Sequence, residues 1–485
     1  MGLNNKVINE NPAIVWVGLN ALHERLDSYY YNPIFIRQYS KMTKGKVGVI
    51  GEFFNVTKLS GFEYTKHFTD EALKAGDVVA ITSQNVADCN LNIKETNTIK
   101  IPRKLHNDLK RSQLKIDDIV LSYTGHYRRA AVINGNIGEE LHLGPNVCKL
   151  SPINTNIDSA FLCVYFNSYS GQVYLDREKT ISAQPTVNMD RIRNMEFPLP
   201  SIDIQGYIGD KLRKAEYLKV EAMKLKREAE DLIDRHLKLE DLRAKINLPN
   251  VKQKWNYVSN DEFTGRLDPE HYKMKFSILN EHLELLDKIN IKVLNLEDIL
   301  EKGSYGILPS SSDYGKGELT FIRSTDLKDY MIDFDSCEKV PIEYNVEKAR
   351  VSSGEILLEI KGSISSGAIV PNGVNEGIVN GSIYKFSVKE EFNNYYILAI
   401  LQSLIGQLQK EKHGANSVIS YLSLDVIQSL QIPVLTKSIQ DKIGSNLERY
   451  VINLLEAKKL VKNAKQDVGS LIEGNFDESK INAEQ

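Results

Sequence analysis

Short apolar runs, each closed by Gly, Asn or Asp, recur along most of this chain, and two long stretches replace that rhythm with a seven-residue step. In the first half the runs Val47–Ile50, Asp77–Thr82, Asp118–Tyr123, Ala130–Ile133 and Val147–Leu150 are β-branched or aromatic and turn-bounded. Such runs predict strands of a mixed or antiparallel sheet. The aromatic stretch Tyr29–Arg37 reads as extended chain leading into them, and the denser run Ser159–Tyr169 as one helix packed on the sheet. The second half repeats the plan, with strands at Leu319–Arg323, Glu355–Ile360 and Ala368–Val370 and a helix at Asn394–Leu404. An α+β fold follows.

The seven-residue step begins after each half. From Ile208, Ala215, Ala222 and Ala229 recur at one seam position, with Leu218, Leu225, Leu232 and Leu239 at the other. Near the end, Ile443, Tyr450, Ala457, Ala464 and Leu471 alternate with Leu447, Leu454, Val461 and Val468. Sustained heptads with charged flanks predict coiled coil, and small Ala at one seam allows close approach. Antiparallel pairing of the two helices with each other is the economical solution, giving a rod of about 50 Å for roughly 35 residues. A surface helix docked on its own domain is the plainer alternative. The tail after Phe476 is polar and expected to fray.

The halves also match in detail. Asp190, Ile192, Pro198, Gln205, Ile208 and Leu212 correspond to Asp425, Ile427, Pro433, Gln440, Ile443 and Leu447 at one offset of 235. Ile116–Gly125 echoes Ser353–Gly362 at offset 237, and Arg25-Leu26-Asp27 echoes Arg266-Leu267-Asp268 at offset 241, with Val17 matching Val258. Slow drift in offset is what loop insertions between two copies of one fold produce. The chain therefore divides into globular domains at 12–200 and 250–434, helices at 201–249 and 435–476, and a tail at 477–485. Two similar, non-identical halves imply a similar job done on two different targets.

Length fits two to four domains, each half large enough to bury a core without disulfides. The scattered cysteines Cys89, Cys148, Cys163 and Cys337 point to free buried thiols in a reducing compartment. No apolar run reaches about 18 residues, so no membrane span is expected, and the N-terminus lacks a signal-peptide pattern. Cytoplasm is the default. A net charge of −3 argues against a simple nucleic-acid coating protein, but leaves room for a reader that uses local basic loops or a partner's charge.

No catalytic set is visible. The chain has no Asn/Asp-Pro-Pro-Tyr methyltransferase motif, no phosphate loop and no His-Glu-x-x-His. Glu359-Ile360-Lys361 matches the end of a nuclease site superficially, but reads more simply as the polar face of a strand. The polar loops carry more. Ser83-Gln84-Asn85 and Arg323-Ser324-Thr325 follow comparable strands, and Gln, Asn and Arg can bond base edges bidentately. Tyr127-Arg128-Arg129 follows Gly125, while Lys361 and Ser363 flank the equivalent Gly362. Lys179 and Gln184 in one half, and Lys410, Lys412, His413 and Asn416 in the other, precede the Asp190 and Asp425 motifs. For any single one of these residues a solvated loop is the simpler reading. As a set, they are where the copies differ while the frame matches.

The repeated domain, each copy ending in a Pro-containing motif, a Gln, an Ile and a heptad helix, resembles the specificity (S) subunit of type I restriction–modification systems. Arg266–Tyr272 and Leu422-Ser423-Leu424-Asp425 followed by Ile432-Pro433 and Gln440–Ile443 carry the resemblance. Arg25–Tyr29, Val187–Asp190, Leu199-Pro200 and Gln205 repeat it, so it covers about Val17 to Phe476. It implies a non-catalytic reader of double-stranded DNA, with two target-recognition domains each binding half of a split, asymmetric site. The coiled coil, through Leu218, Leu225, Leu232, Tyr450, Leu454 and Val461, would act as spacer and docking surface. Its partners would be two adenine-N6 methyltransferase subunits, which carry S-adenosylmethionine, and, where one is present, a nuclease–translocase subunit. This chain would bind no cofactor or metal itself. A rigid spacer suits half-sites about one turn, ~34 Å, apart, and the partner would flip its adenine from the duplex. Two other readings stand beside it: a specificity module of another modification-based phage-defence system, and a scaffold whose β-rich domains bind protein or glycan.

Overall fold

The computed structural model describes residues 6–10, 13–16, 18, 22, 25–63, 68–69, 76–93, 98–125, 128–135, 140–251, 258, 263, 268–374, 376–414 and 420–483. Val17, Arg266 and Leu267 lie outside them. The chain forms two compact units, Met1–Val220 with Leu454–Gln485, and Glu221–Asn453.

In the first unit an antiparallel four-stranded sheet runs in the order Arg129–Val132, Ile119–Ser122, Val147–Pro152, Phe54–Lys58. A three-stranded sheet has Val78–Ile81 at its centre, parallel to Leu141–Leu143 and antiparallel to Ile99–Ile101. Helix Ser159–Asn167 is buried along its whole length, in a core that includes Phe54, Leu121, Leu150 and Ile208. The second unit has the same topology. Its four strands are Gly367–Ile369, Ile356–Glu359, Ile383–Val388 and Leu300–Tyr305. Its smaller sheet centres on Leu319–Ile322, parallel to Ile378–Val379 and antiparallel to Glu338–Val340.

Both copies are held by the same buried polar contacts. The Gln205 carbonyl oxygen accepts from the Asp158 N–H at 3.0 Å, and its amide donates to the Pro200 carbonyl at 3.0 Å. Gln440 does the same with Asn393 and Leu435, at 3.2 and 2.8 Å. Asp158 and Asn393 are the N-caps of the two buried helices, so each Gln ties a helix start to the chain entering a long helix. A Cβ on Gly209 or Gly444 would collide with these same cap side chains, at 2.7 and 2.1 Å. Lys149 pairs with Asp118 at 3.4 Å, and Lys385 with Glu355 at 2.9 Å, all four buried. Each carboxylate also accepts a backbone N–H, from Lys115 and Ser352 respectively, both at 2.8 Å. Buried charges survive only when satisfied in this way.

The heptad stretches fold as helices Ile202–His236, 35 residues, and Lys437–Glu473, 37 residues. Within the first unit, Tyr207 meets Phe476 and Lys211 meets Asp467, so the helical segments there run antiparallel. Within the second, Glu228 accepts from Asn446 and Lys226 faces Tyr450, again antiparallel. The Ala seam is closed, with Ala215, Ala222, Ala229, Ala457 and Ala464 buried. The Leu seam is less regular: Leu225 and Tyr450 are buried, while Leu218, Leu232, Leu454 and Val461 are half-buried. Burial passes from Leu232 to Ile233, as a 3.6-residue turn drifts against a seven-residue repeat. Leu239 does not extend the seam, because it opens a new helix, Leu239–Ile246, after left-handed Lys238 at φ 49°.

Two other expectations are corrected. Tyr29–Arg37 is not extended: Asn32 accepts from the Ile34 N–H at 3.1 Å, Pro33 supplies the preset φ, and helix Pro33–Met42 follows. The single helix over Ser159–Tyr169 is two, Ser159–Asn167 and Tyr169–Glu178. Ser168 divides them by donating to the Tyr165 carbonyl at 2.7 Å and accepting from the Gly171 N–H at 3.3 Å. Beyond Phe476 the chain carries helix Ser479–Ala483, with Ile481 against the first unit's core. The four cysteines are free, three buried and Cys337 half-buried. No helix among the described residues is long and apolar enough to cross a membrane.

Candidate nucleic-acid interface

At one end of each four-stranded sheet, two loops close against each other. In the first unit the loop after strand Ile119–Ser122 meets the segment entering the Asp190 motif, through a bridge between Thr124 and Thr186 with their hydroxyls 2.9 Å apart. The Val187 N–H adds a bond to the Tyr123 carbonyl at 2.9 Å. In the second unit the loop after strand Ile356–Glu359 meets the segment entering the Asp425 motif, through Lys361 paired with Tyr421. These four residues occupy equivalent places and share no residue type beyond threonine within the first copy. The same sheet end receives the last residue of an edge strand in each unit. Lys58 lies over the Tyr123 ring at 5.5 Å, and the Tyr305 ring packs on Tyr384 at 5.2 Å. Burial, with Tyr421 beside it, pushes the Tyr305 phenol up to about 12.

Several residues named from the sequence gather here. Arg128, in left-handed backbone at φ 73°, reaches Asp176 at 3.8 Å, and Lys179 pairs with the same carboxylate at 2.7 Å. Arg129 and Gln184 are exposed. Lys361 is exposed, and the Ser363 hydroxyl donates to Glu359 at 2.6 Å. Lys412 and His413 are half-buried; the Lys412 carbonyl lies 3.3 Å from His271 Nδ1, and the His413 ring packs on His271. Lys410 is fully buried. Tyr127 and Asn416 lie outside the described residues.

The other two triplets are not joined to these loops among the described residues. Asn85 is wholly buried, its side-chain oxygen accepting from the Thr82 N–H and hydroxyl, both at 2.9 Å, so it shapes a turn. Ser83 is buried as well, leaving only Gln84 exposed. Arg323 is occupied by Asp326, Glu338 and the Ser336 carbonyl at 2.8–3.2 Å, while Ser324 is half-buried and Thr325 exposed. Glu359 is not on a solvent-facing strand surface: it is buried and accepts from Ser363, Ser365 and Ser366. Sequence reasoning passed over Thr186, Tyr421, Tyr123, Tyr305 and Lys58. The signal for the first two was available, since each stands just ahead of the repeated motif, where the copies disagree.

Among the described residues no group of three or more His, Cys, Asp or Glu could hold a metal ion. The chemistry on offer is hydrogen bonding, local positive charge and aromatic surface, which suits recognition of a polar, anionic polymer.

A family model described as the type I restriction modification DNA specificity domain matches residues 43–230 and again 288–464. Among curated proteins, the specificity subunit of the type I restriction enzyme EcoBI from Escherichia coli is 23% identical over 197 residues. That match spans 40% of this chain and 40% of the relative's own length. Among solved structures, the S subunit of a type I restriction-modification system from M. genitalium is similar at TM-score 0.49 and 12% identity, over 89% of this chain and 96% of that one. The HsdS subunit from Thermoanaerobacter tengcongensis gives TM-score 0.27 and 14% identity, over 89% and 97%.

Proposed function

The chain belongs to the family of type I restriction modification DNA specificity domains, and we propose from this that each of its two copies reads one half of a split DNA site. The observation that carries the reading is a contrast. Gln205 and Gln440 make the same contacts in both copies, whereas the loop pairs at the sheet ends differ, Thr124 with Thr186 in one and Lys361 with Tyr421 in the other. One frame presenting two sets of side chains is what reading two sequences requires.

In this reading the chain carries out no reaction. It directs adenine-N6 methyltransferase subunits, which bring S-adenosylmethionine, and it serves a nuclease–translocase subunit where one is present. The long helices Ile202–His236 and Lys437–Glu473 supply the spacing between half-sites and the surface on which those partners dock. With a net charge of −3, much of the attraction to phosphate comes from the assembled complex. The site of action is the cytoplasm, where the DNA is.

The test is co-expression with a methyltransferase subunit encoded beside it, followed by sequencing of the host's methylated adenines. A new bipartite methylated motif is expected. Absence of any such motif, together with no salt-sensitive DNA binding by the complex, sinks the reading and leaves a protein- or glycan-binding scaffold.

A further inference from the structure

The second copy contains two buried charged residues, Glu359 and Lys410, where the first copy has none. Strand Ile356–Glu359 ends on Glu359, which is 6% exposed and faces inward. Its carboxylate accepts from the Ser363 hydroxyl at 2.6 Å and from the Ser365 and Ser366 N–H groups, both at 3.2 Å. Lys410, on helix Leu404–Gly414, is fully buried, and its ammonium has no hydrogen-bond partner among the described residues. Burial pushes that ammonium down to about 8, and Glu359 is the charge acting against the shift. Other groups nearby are committed elsewhere: Glu411 pairs with Lys275, and His271 approaches the Lys412 carbonyl.

A buried cation without a hydrogen bond costs stability. The frame shows that this fold does not need one there. At the equivalent positions the first copy has Ser122 and Leu175, both buried. By contrast, the frame pairs Lys149–Asp118 and Lys385–Glu355 occur in both copies. Glu359 bonds the loop that carries Lys361 and Ser363, and the helix carrying Lys410 reaches the same loop, Gln407 donating to the Ser365 carbonyl at 3.5 Å. That loop takes unusual backbone at Gly362, φ 118°, and at Ile364, φ 50°. Left-handed backbone at a β-branched residue is strained and persists only when its surroundings hold it. The three bonds that Glu359 accepts, from the Ser363 hydroxyl and the Ser365 and Ser366 N–H groups, supply that hold.

We propose that Glu359 and Lys410 are positioning residues, which fix the loop Lys361–Ser366 for base reading by the second unit only. The proposal rests on the DNA-reading function above. It does not require either side chain to touch DNA.

Two variants of the full chain test it in the complex with the methyltransferase: Lys410→Met, and the double change Glu359→Ser with Lys410→Leu, which installs the first copy's residues. The readouts are the unfolding midpoint and the methylated motif at each half-site. Expected are folded variants, with a midpoint lowered by Lys410→Met, which leaves Glu359 buried without a cation, and recovered in the double change, an unchanged first half-site, and about a tenfold loss of discrimination at the second, the scale of one or two hydrogen bonds. Folded variants that read both half-sites as the wild type does overturn the proposal, as does equal loss at both. Unfolding of both variants also overturns it, because the pair then belongs to the frame. Wild-type complex that yields no bipartite motif refutes the underlying function itself, and the wild-type control separates that result from the others.

Discussion

The ammonium of Lys211 donates to the carboxylate of Asp467 at 2.6 Å, both side chains being buried within the first unit. It also donates to the Tyr207 hydroxyl at 2.7 Å, and Asp467 takes a second contact from Lys480 at 3.3 Å. Burial works against the Lys211 charge, yet Asp467 and Tyr207 outweigh it and raise the Lys211 pKa. The pair joins the early turns of one long helix to the late turns of the other. Lys211→Met strands a buried carboxylate and is expected to cost about 3 kcal/mol. Lys211→Met with Asp467→Leu removes both charges and should recover most of that loss. Denaturant midpoints of the two variants check it: a double variant as unstable as the single one would contradict this account.

A second prediction concerns pH. His142 is fully buried, its Nδ1 3.2 Å from that of His106, and burial, then His106 and Lys149, push it down to about 4. A histidine at about 6.5 in the unfolded chain and lower in the fold is held neutral. Its contribution is complete above pH 6.5 and is lost as the pH falls toward 4, because only the unfolded chain takes up the proton there. The loss amounts to about 3 kcal/mol at most. The urea midpoint of the wild type should therefore drop more between pH 7.5 and 5 than that of His142→Gln. Equal drops would rule the ring out as the cause.

The repeated glutamine makes a third. Gln205 and Gln440 each make two buried hydrogen bonds, and Ala at either position leaves a helix N-cap residue and a carbonyl unpaired. Each substitution is expected to cost about 2–4 kcal/mol. Because the contacts are matched, the two costs should agree within about 1 kcal/mol. Thermal unfolding of the single variants measures this; a cost at one site alone would mean that the copies do not share a frame.

Strands and repeats were legible in the sequence because they depend on local apolar runs and on matched positions such as Asp190 and Asp425. The helix Pro33–Met42 was missed because its aromatic content outweighed the Asn32-Pro33 cap signal. The candidate interface was half legible. Lys361, Ser363, Lys179 and Arg128 fall on the loops that close together, since divergence between copies marks loops. Asn85 and Arg323 did not, because a polar residue after a strand is equally able to bond its own turn, and sequence does not tell where the side chain finds its partner.

That distinction gives the last prediction. Arg323 spends its donors on Asp326, Glu338 and the Ser336 carbonyl, whereas Lys361 is exposed on the loop facing Tyr421. Arg323→Ala is expected to lower stability by about 2 kcal/mol through the lost turn contacts. Lys361→Ala should change stability by no more than about 0.5 kcal/mol, as exposed positions do. On DNA the order reverses. Lys361→Ala should weaken reading of one half-site and spare the other, and equal weakening at both would mean that it holds phosphate rather than bases. Urea unfolding beside methylated-motif sequencing settles both arms. An Arg323→Ala protein of full stability that misreads one half-site would show that Arg323 leaves its intramolecular partners to contact DNA.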